Sequence, residues 1–172
     1  MAGNPANVRL WETGDVFIFD PEVPYVEATH LPADIDAPLP AQWIPAGLML
    51  GDPGVGMPRD IEKTDLNAWQ AKRFRTKYKN GKQDAAFTLL EENEVTDDLI
   101  DEESVPTAKR RRIAVVFVEE NGYVKRMFST GLFDLWVTAN DHKEDPDGWP
   151  VEVSTYPDSN NKIWTVQKGI PA

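Results

Sequence analysis

The later part of the chain is cut into apolar runs too short for ordinary helices, with turn residues between them. "RIAVVFVEE", "YVKRMFST", "LFDLWVTAN", "WPVEVSTY" and "KIWTVQ" are rich in β-branched and aromatic residues and are separated by "NG", "TG", "DPDG" and "SNN". Such side chains suit a pleated, half-buried surface, and punctuation at this spacing limits each run to strand length. Upstream, in "RFRTKYK", Phe74, Thr76 and Tyr78 alternate with Arg73, Arg75, Lys77 and Lys79, the period of two of a strand. Asn80-Gly81 supplies the dipeptide that a type I′ turn requires. The sequence therefore predicts a hairpin over 72–90 that turns at Asn80-Gly81, with Phe74 opposite Phe87 and Lys77 opposite Asp84. Proline and glycine leave little room for a helix in "DPEVPYVEATHLPADIDAPLPAQWIPAG", whereas 93–103 can cap and carry a short one. The expected fold is mainly β (α+β): a β-sandwich or barrel-like domain of eight or nine strands with one short packed helix. Its expected bounds are an N-terminal arm at 1–14, a single β domain at 15–166 and a C-terminal tail at 167–172.

A chain of 172 residues can bury a sizeable core without covalent help, and it contains no cysteine. That excludes a disulfide framework, cysteine-ligated zinc and thiol catalysis. "MAGNPANVRLWETGD" lacks the basic and apolar regions of a leader, and no run approaches the ~20 apolar residues of a membrane span, so a soluble, unexported chain is expected. The formal net charge of −11 argues against a surface that binds nucleic acid throughout. The charges are also segregated. Residues 84–103 contain acids and no base, while "KRFRTKYKNGK" (72–82) and "KRRR" (109–112) are basic blocks on either side. Each block is either a solvated face or one half of a contact in which an acidic surface on one copy meets a basic one on the next.

Recognisable chemistry is sparse. "GDPGVG" has the glycine spacing of a phosphate-binding loop, but Met57 and Pro58 stand where its lysine and hydroxyl belong, so no ATPase is expected. His30 and His142 lie in proline-rich and acidic segments with no nucleophile or zinc motif, and read as exposed loop histidines. With 29 acidic residues, a pair of catalytic carboxylates could be drawn almost anywhere. "DHKEDPDG" (141–148) gathers oxygen ligands without the full spacing of a calcium loop, and reads as a solvated turn. "RFRTKYK" could stack nucleobases, but its period puts Phe74 and Tyr78 opposite the cations, as core residues would be.

Taken in order, "LPAQWIPAGLMLGDPGVGMPRD", "IEKTDLNAWQAKRFRTKYKNGK" and "AAFTLLEENE" resemble the major tail tube proteins of long, non-contractile-tailed bacteriophages. The matching positions are Trp43, Gly47, Gly51, Gly54 and Val55, then Ala68-Trp69, then Phe87, Leu89, Leu90, Glu91 and Asn93; the likeness is clearest over 40–95. It implies a virion protein, assembled in the host cytoplasm, whose hexameric rings stack into a tube. Each subunit would lend strands to an inner β-barrel around the genome channel. It also implies the tape measure, tail terminator and distal tail proteins as further partners, and DNA that transits without specific binding. On this reading the protein is no enzyme, has no cofactor or metal, and touches no membrane. Arg73, Arg75, Lys77, Lys79, Glu91, Glu92 and Glu94 are candidate inter-subunit contacts, with the turn Gly51, Gly54, Val55 and Gly56. Trp43, Gly47, Trp69, Phe74, Phe87 and Leu90 are candidate core or motif positions. Acidic and neutral polar side chains are expected to line the channel, because unpaired cations there would hold phosphate. The alternative is a monomeric β-sandwich that binds carbohydrate or peptide through exposed tryptophans.

Overall fold

The computed structural model describes residues 9–69, 71–141 and 148–172, and at 68 and 71–74 the backbone alone. The described chain is mainly β, with eleven strands in three antiparallel sheets. The first sheet contains β1 (Trp11–Phe19), β2 (Trp43–Pro45), β7 (Ile113–Glu119), β8 (Val124–Ser129) and β11 (Trp164–Gly169), in the order β11-β8-β7-β1-β2. The second contains β5 (Ala85–Leu89), β6 (Lys109–Arg111), β9 (Phe133–Val137) and β10 (Trp149–Ser154), in the order β5-β10-β9-β6. β3 (Arg59–Ala68) and β4 (Ala71–Gln83) form a two-stranded sheet of their own. Thus β1 begins inside the span expected to be an arm, and β11 reaches into the expected tail.

The first two sheets face each other across the core. Val16 and Ile18 of β1 and Ile113 and Val115 of β7 pack against Phe87 and Leu89 of β5, Phe133 and Leu135 of β9, and Val151 and Val153 of β10. Burial of each such side chain contributes about 1.5–3 kcal/mol. β7 is buried on both faces, which explains why "IAVVFV" is a continuous apolar run. Its outer face is covered by the proline-rich segment 20–42: Phe19, Trp43, Ala114 and Phe128 form a second cluster beneath Val23, Tyr25, Leu31 and Leu39.

Within that cover, α1 (Glu27–His30) is a single turn, and His30 is buried, contrary to the exposed loop expected for it. Its Nδ1 accepts from the Val26 N–H at 2.9 Å, its carbonyl accepts from the Trp43 indole at 2.7 Å, and its ring meets Phe19 edge-on. Arg126 and Gln167 fasten the rest of the cover by donating to the carbonyls of Ala37 and Pro32.

The expected short helix is α2 (Glu94–Ile100). Asn93 caps it: its side-chain oxygen accepts from the N–H groups of Val95 and Thr96, while the Thr96 hydroxyl accepts from the Asn93 N–H. Val95 and Leu99 turn into the core.

The hairpin at Asn80-Gly81 is not formed. β4 runs straight through these residues, and its partner is β3; the chain reverses between Ala68 and Ala71. Asp60 faces Lys82 and Glu62 faces Lys79, so Ile61 alone opposes Asn80 and Gly81. The left-handed conformation of Asn80, φ 53°, makes a β-bulge there in place of a turn. Phe87 pairs with Val151 and Lys77 with Thr64, so neither expected partnership exists.

Candidate assembly surface

Two of the sequence blocks that carry the tail-tube resemblance lie side by side. The segment 46–56 runs along the edge of β5: Leu90 N–H donates to Leu48 O, Leu50 N–H to Thr88 O, and Gly56 and Ala86 exchange two hydrogen bonds. Glu91 accepts from the Leu48 N–H at 3.0 Å, and the Asn93 amide donates to Ala46 O at 3.2 Å. Gly47 is required at this crossing, since its φ is 94° and an added Cβ would lie 2.5 Å from the Asn93 amide nitrogen. The glycine turn therefore covers a sheet edge, which would otherwise offer unpaired backbone groups to other chains. Gly54, at φ 68°, makes its bend, Gly51 is exposed, and Val55 packs on the core. Trp43 and Phe87 are buried and Leu90 is half-buried.

Trp69 is the exception among the core candidates. It stands at the reversal between β3 and β4 with a relative exposure of 103%, so it is not a core residue. The cause is the position of the turn: what reads as the start of a core strand is the tip of an arm. Every described side chain of β3 is exposed, and those described in β4 are exposed or half-buried. Ile61, Leu66 and Tyr78 are among them, at 44%, 41% and 55%. At about 3.4 Å per residue the strands extend for roughly 30–40 Å. An isolated two-stranded ribbon of this kind is marginal in water at best.

Charge divides the faces of the arm. Residues directly opposite in an antiparallel pair share a face. One face carries Arg75 beside Leu66, Lys77 beside Thr64 and Lys79 beside Glu62; the other carries Tyr78 beside Lys63 and Thr76 beside Asp65. Arg75, Lys77 and Lys79 are exposed and make no ion pair among the described residues. Arg73 and Phe74 lie in β4, and their side chains are outside the described residues. Residues 59–83 hold eight basic and three acidic side chains, a formal +5 in a chain of −11, so the remainder carries −16.

The second basic block is engaged within the chain. Arg111 makes a forked contact with Asp98 on α2 at 2.7 and 3.0 Å, Lys109 lies 3.5 Å from Asp101, and Arg110 lies 3.3 Å from Asp134. Arg112 stacks over Tyr25 at 4.0 Å. Burial raises the Tyr25 phenol pKa above its ordinary value, with Arg112 opposing the shift. Tyr156 is also raised, because its hydroxyl donates to Asp134 at 2.6 Å. Glu91, Glu92 and Glu94 remain on the exposed acidic surface, with Glu91 partly engaged at Leu48. His142 and most of "DHKEDPDG" lie outside the described residues.

Among the described residues no helix is long and apolar enough to cross a membrane. A scan against protein-family models and a search of curated proteins both found no match to this chain.

Proposed function

We propose that the protein is a structural subunit that associates with copies of itself into stacked rings, forming the tail tube of a bacteriophage virion through which the genome passes. The observation that carries this reading is the arm formed by β3 and β4. It is a long ribbon with exposed apolar side chains and a cationic face, attached to a body whose formal charge is of opposite sign. Joined side by side with arms from other copies, such ribbons would close into a barrel without edges, where each gains the neighbours it lacks alone. The covered β5 edge fits the same scheme, because it directs pairing towards the arm. The cationic face of each ribbon would turn outward to the acidic bodies, leaving the face of Thr76, Tyr78, Lys63 and Asp65 towards the channel, and the tape measure, terminator and distal tail proteins would complete the tail.

The test is size and shape. Purified protein should form rings or tubes by light scattering and negative-stain electron microscopy. A chain with residues 61–81 replaced by a short turn should keep its β circular dichroism and remain monomeric. A parent that stays a compact monomer at every concentration and salt level would refute the reading and favour a monomeric binding module.

A further inference from the structure

The tip of the arm has a fitting seat on the body. We infer that Trp69 of one copy docks into the cavity at the C-terminal end of α2 of a second copy; the inference rests on the self-assembly proposed above. Trp69 is fully exposed in its own chain, and tryptophan is among the residues most enriched in the energetic centres of interfaces. The cavity measures about 250 Å³ and is walled by Leu99, Ile100, Pro106 and Trp136, with Asp101 and Glu102 at its rim. That lies below the ~300–1,000 Å³ of sites for small molecules and suits one large side chain. Trp136, 36% exposed, offers an aromatic surface to an incoming indole.

Charge and size together favour this cavity over the other clefts described. Arms of +5 deliver Trp69, and the cavity adjoins the stretch 91–103, which contains no base. Arg111 and Lys109 engage Asp98 and Asp101, while Glu92, Glu94, Asp97 and Glu103 remain exposed to the cationic face of an arriving arm. The cleft lined by Arg110, Arg111 and Arg112 has Asp20 as the one acid in its lining, so it offers a cationic arm little to pair with. The two clefts beside Trp11 are larger, about 460 and 730 Å³, and a single indole leaves them unfilled. Because tip and seat are different surfaces, the contact is head-to-tail: it closes a ring where the rotation between copies closes, and otherwise runs on from one copy to the next.

The chain contains no cysteine, which makes a directed cross-link clean. A chain carrying Ala68→Cys is mixed with one carrying Ser104→Cys and oxidised, with Ser159→Cys replacing Ser104→Cys as control. Trp69→Ala is measured separately for folding and assembly. Expected are a 68–104 disulfide between copies well above the control, an unchanged melting temperature for Trp69→Ala, and self-association weaker by roughly 30-fold. Trp69→Ala that assembles like the parent, or a 68–104 yield no higher than the control, overturns the docking while leaving self-assembly standing. A parent that never associates overturns both.

Discussion

Replacing Gly47 by alanine isolates the joint between the glycine turn and α2. Three costs add. The backbone at φ 94° disfavours any L side chain by about 1–2 kcal/mol. The new Cβ, 2.5 Å from the Asn93 amide nitrogen and 2.9 Å from a Glu91 carboxylate oxygen, must displace both. Moving Asn93 loses its hydrogen bond to Ala46 O, about 1 kcal/mol, and disturbs the cap of α2, about 1 kcal/mol more. A stiffer unfolded chain returns about 0.4–1 kcal/mol. The net destabilisation is about 3 kcal/mol, and with a urea m-value of about 2 kcal/mol/M the midpoint falls by about 1.5 M. Gly51→Ala is the control: an added Cβ there meets nothing within 4 Å, and a change within about 0.5 kcal/mol is expected. In an Asn93→Ala background the cost of Gly47→Ala should shrink to the backbone part and the displacement of Glu91. A Gly47→Ala midpoint matching that of Gly51→Ala, or the same cost with and without Asn93, would refute the reasoning.

Arg73→Glu combined with Arg75→Glu should reduce self-association while leaving the melting temperature nearly unchanged, since Arg75 is exposed and surface strand charges of its kind contribute little to the fold; polymerisation equal to the parent across salt concentrations would place the contact elsewhere. The Asp158 carboxyl should titrate below the ordinary carboxylate range, because the Lys162 and Asn160 N–H groups donate to it at 2.8 Å. With its folded pKa depressed, it contributes stability above the unfolded pKa, and that contribution is lost as pH falls through the folded value. Carboxyl-carbon NMR of the parent, and loss of this acid-side component in Asp158→Asn, are the checks. Magnesium-dependent ATP hydrolysis should be absent and unaffected by Gly56→Ala, because Met57 and Pro58 occupy the ligand positions; hydrolysis abolished by that change would contradict it.

The strands from Ile113 onwards are legible because each carries its own pattern and its own turn residues, whereas β6, in the basic block, shows neither. α2 is legible through Asn93 and Thr96, whose cap is entirely local. The arm is misread for an equally physical reason. Asn80-Gly81 announces a left-handed backbone, and Asn80 adopts one, but the same conformation serves a bulge as well as a turn. The true reversal, between Ala68 and Ala71, has none of the glycine, proline or asparagine that marks turns, so Trp69 resembles the start of a core strand. His30 eludes the sequence because its burial comes from a proline-rich segment lying over a sheet built from distant strands. The pairing of 46–56 with β5 is likewise tertiary: its two halves are visible, their adjacency is not.

Both legs of the arm are rooted on one strand. β4 is separated from β5 by Asp84 alone, and the leg leading into β3 is tied at Gly56 to Ala86 and at Pro58 to Asp84. β5 is in turn paired along its whole length with β10. Mechanical tension on the arm therefore converges on β5 and passes into the sandwich through a five-rung ladder. The ladder of the ribbon itself is interrupted twice, at Asn80-Gly81 opposite Ile61 and between Leu66 and Ala68 near the tip. Because both legs are continuous backbone, a pull at the tip reaches β5 through both strands at once, and the body is loaded at one strand of one sheet.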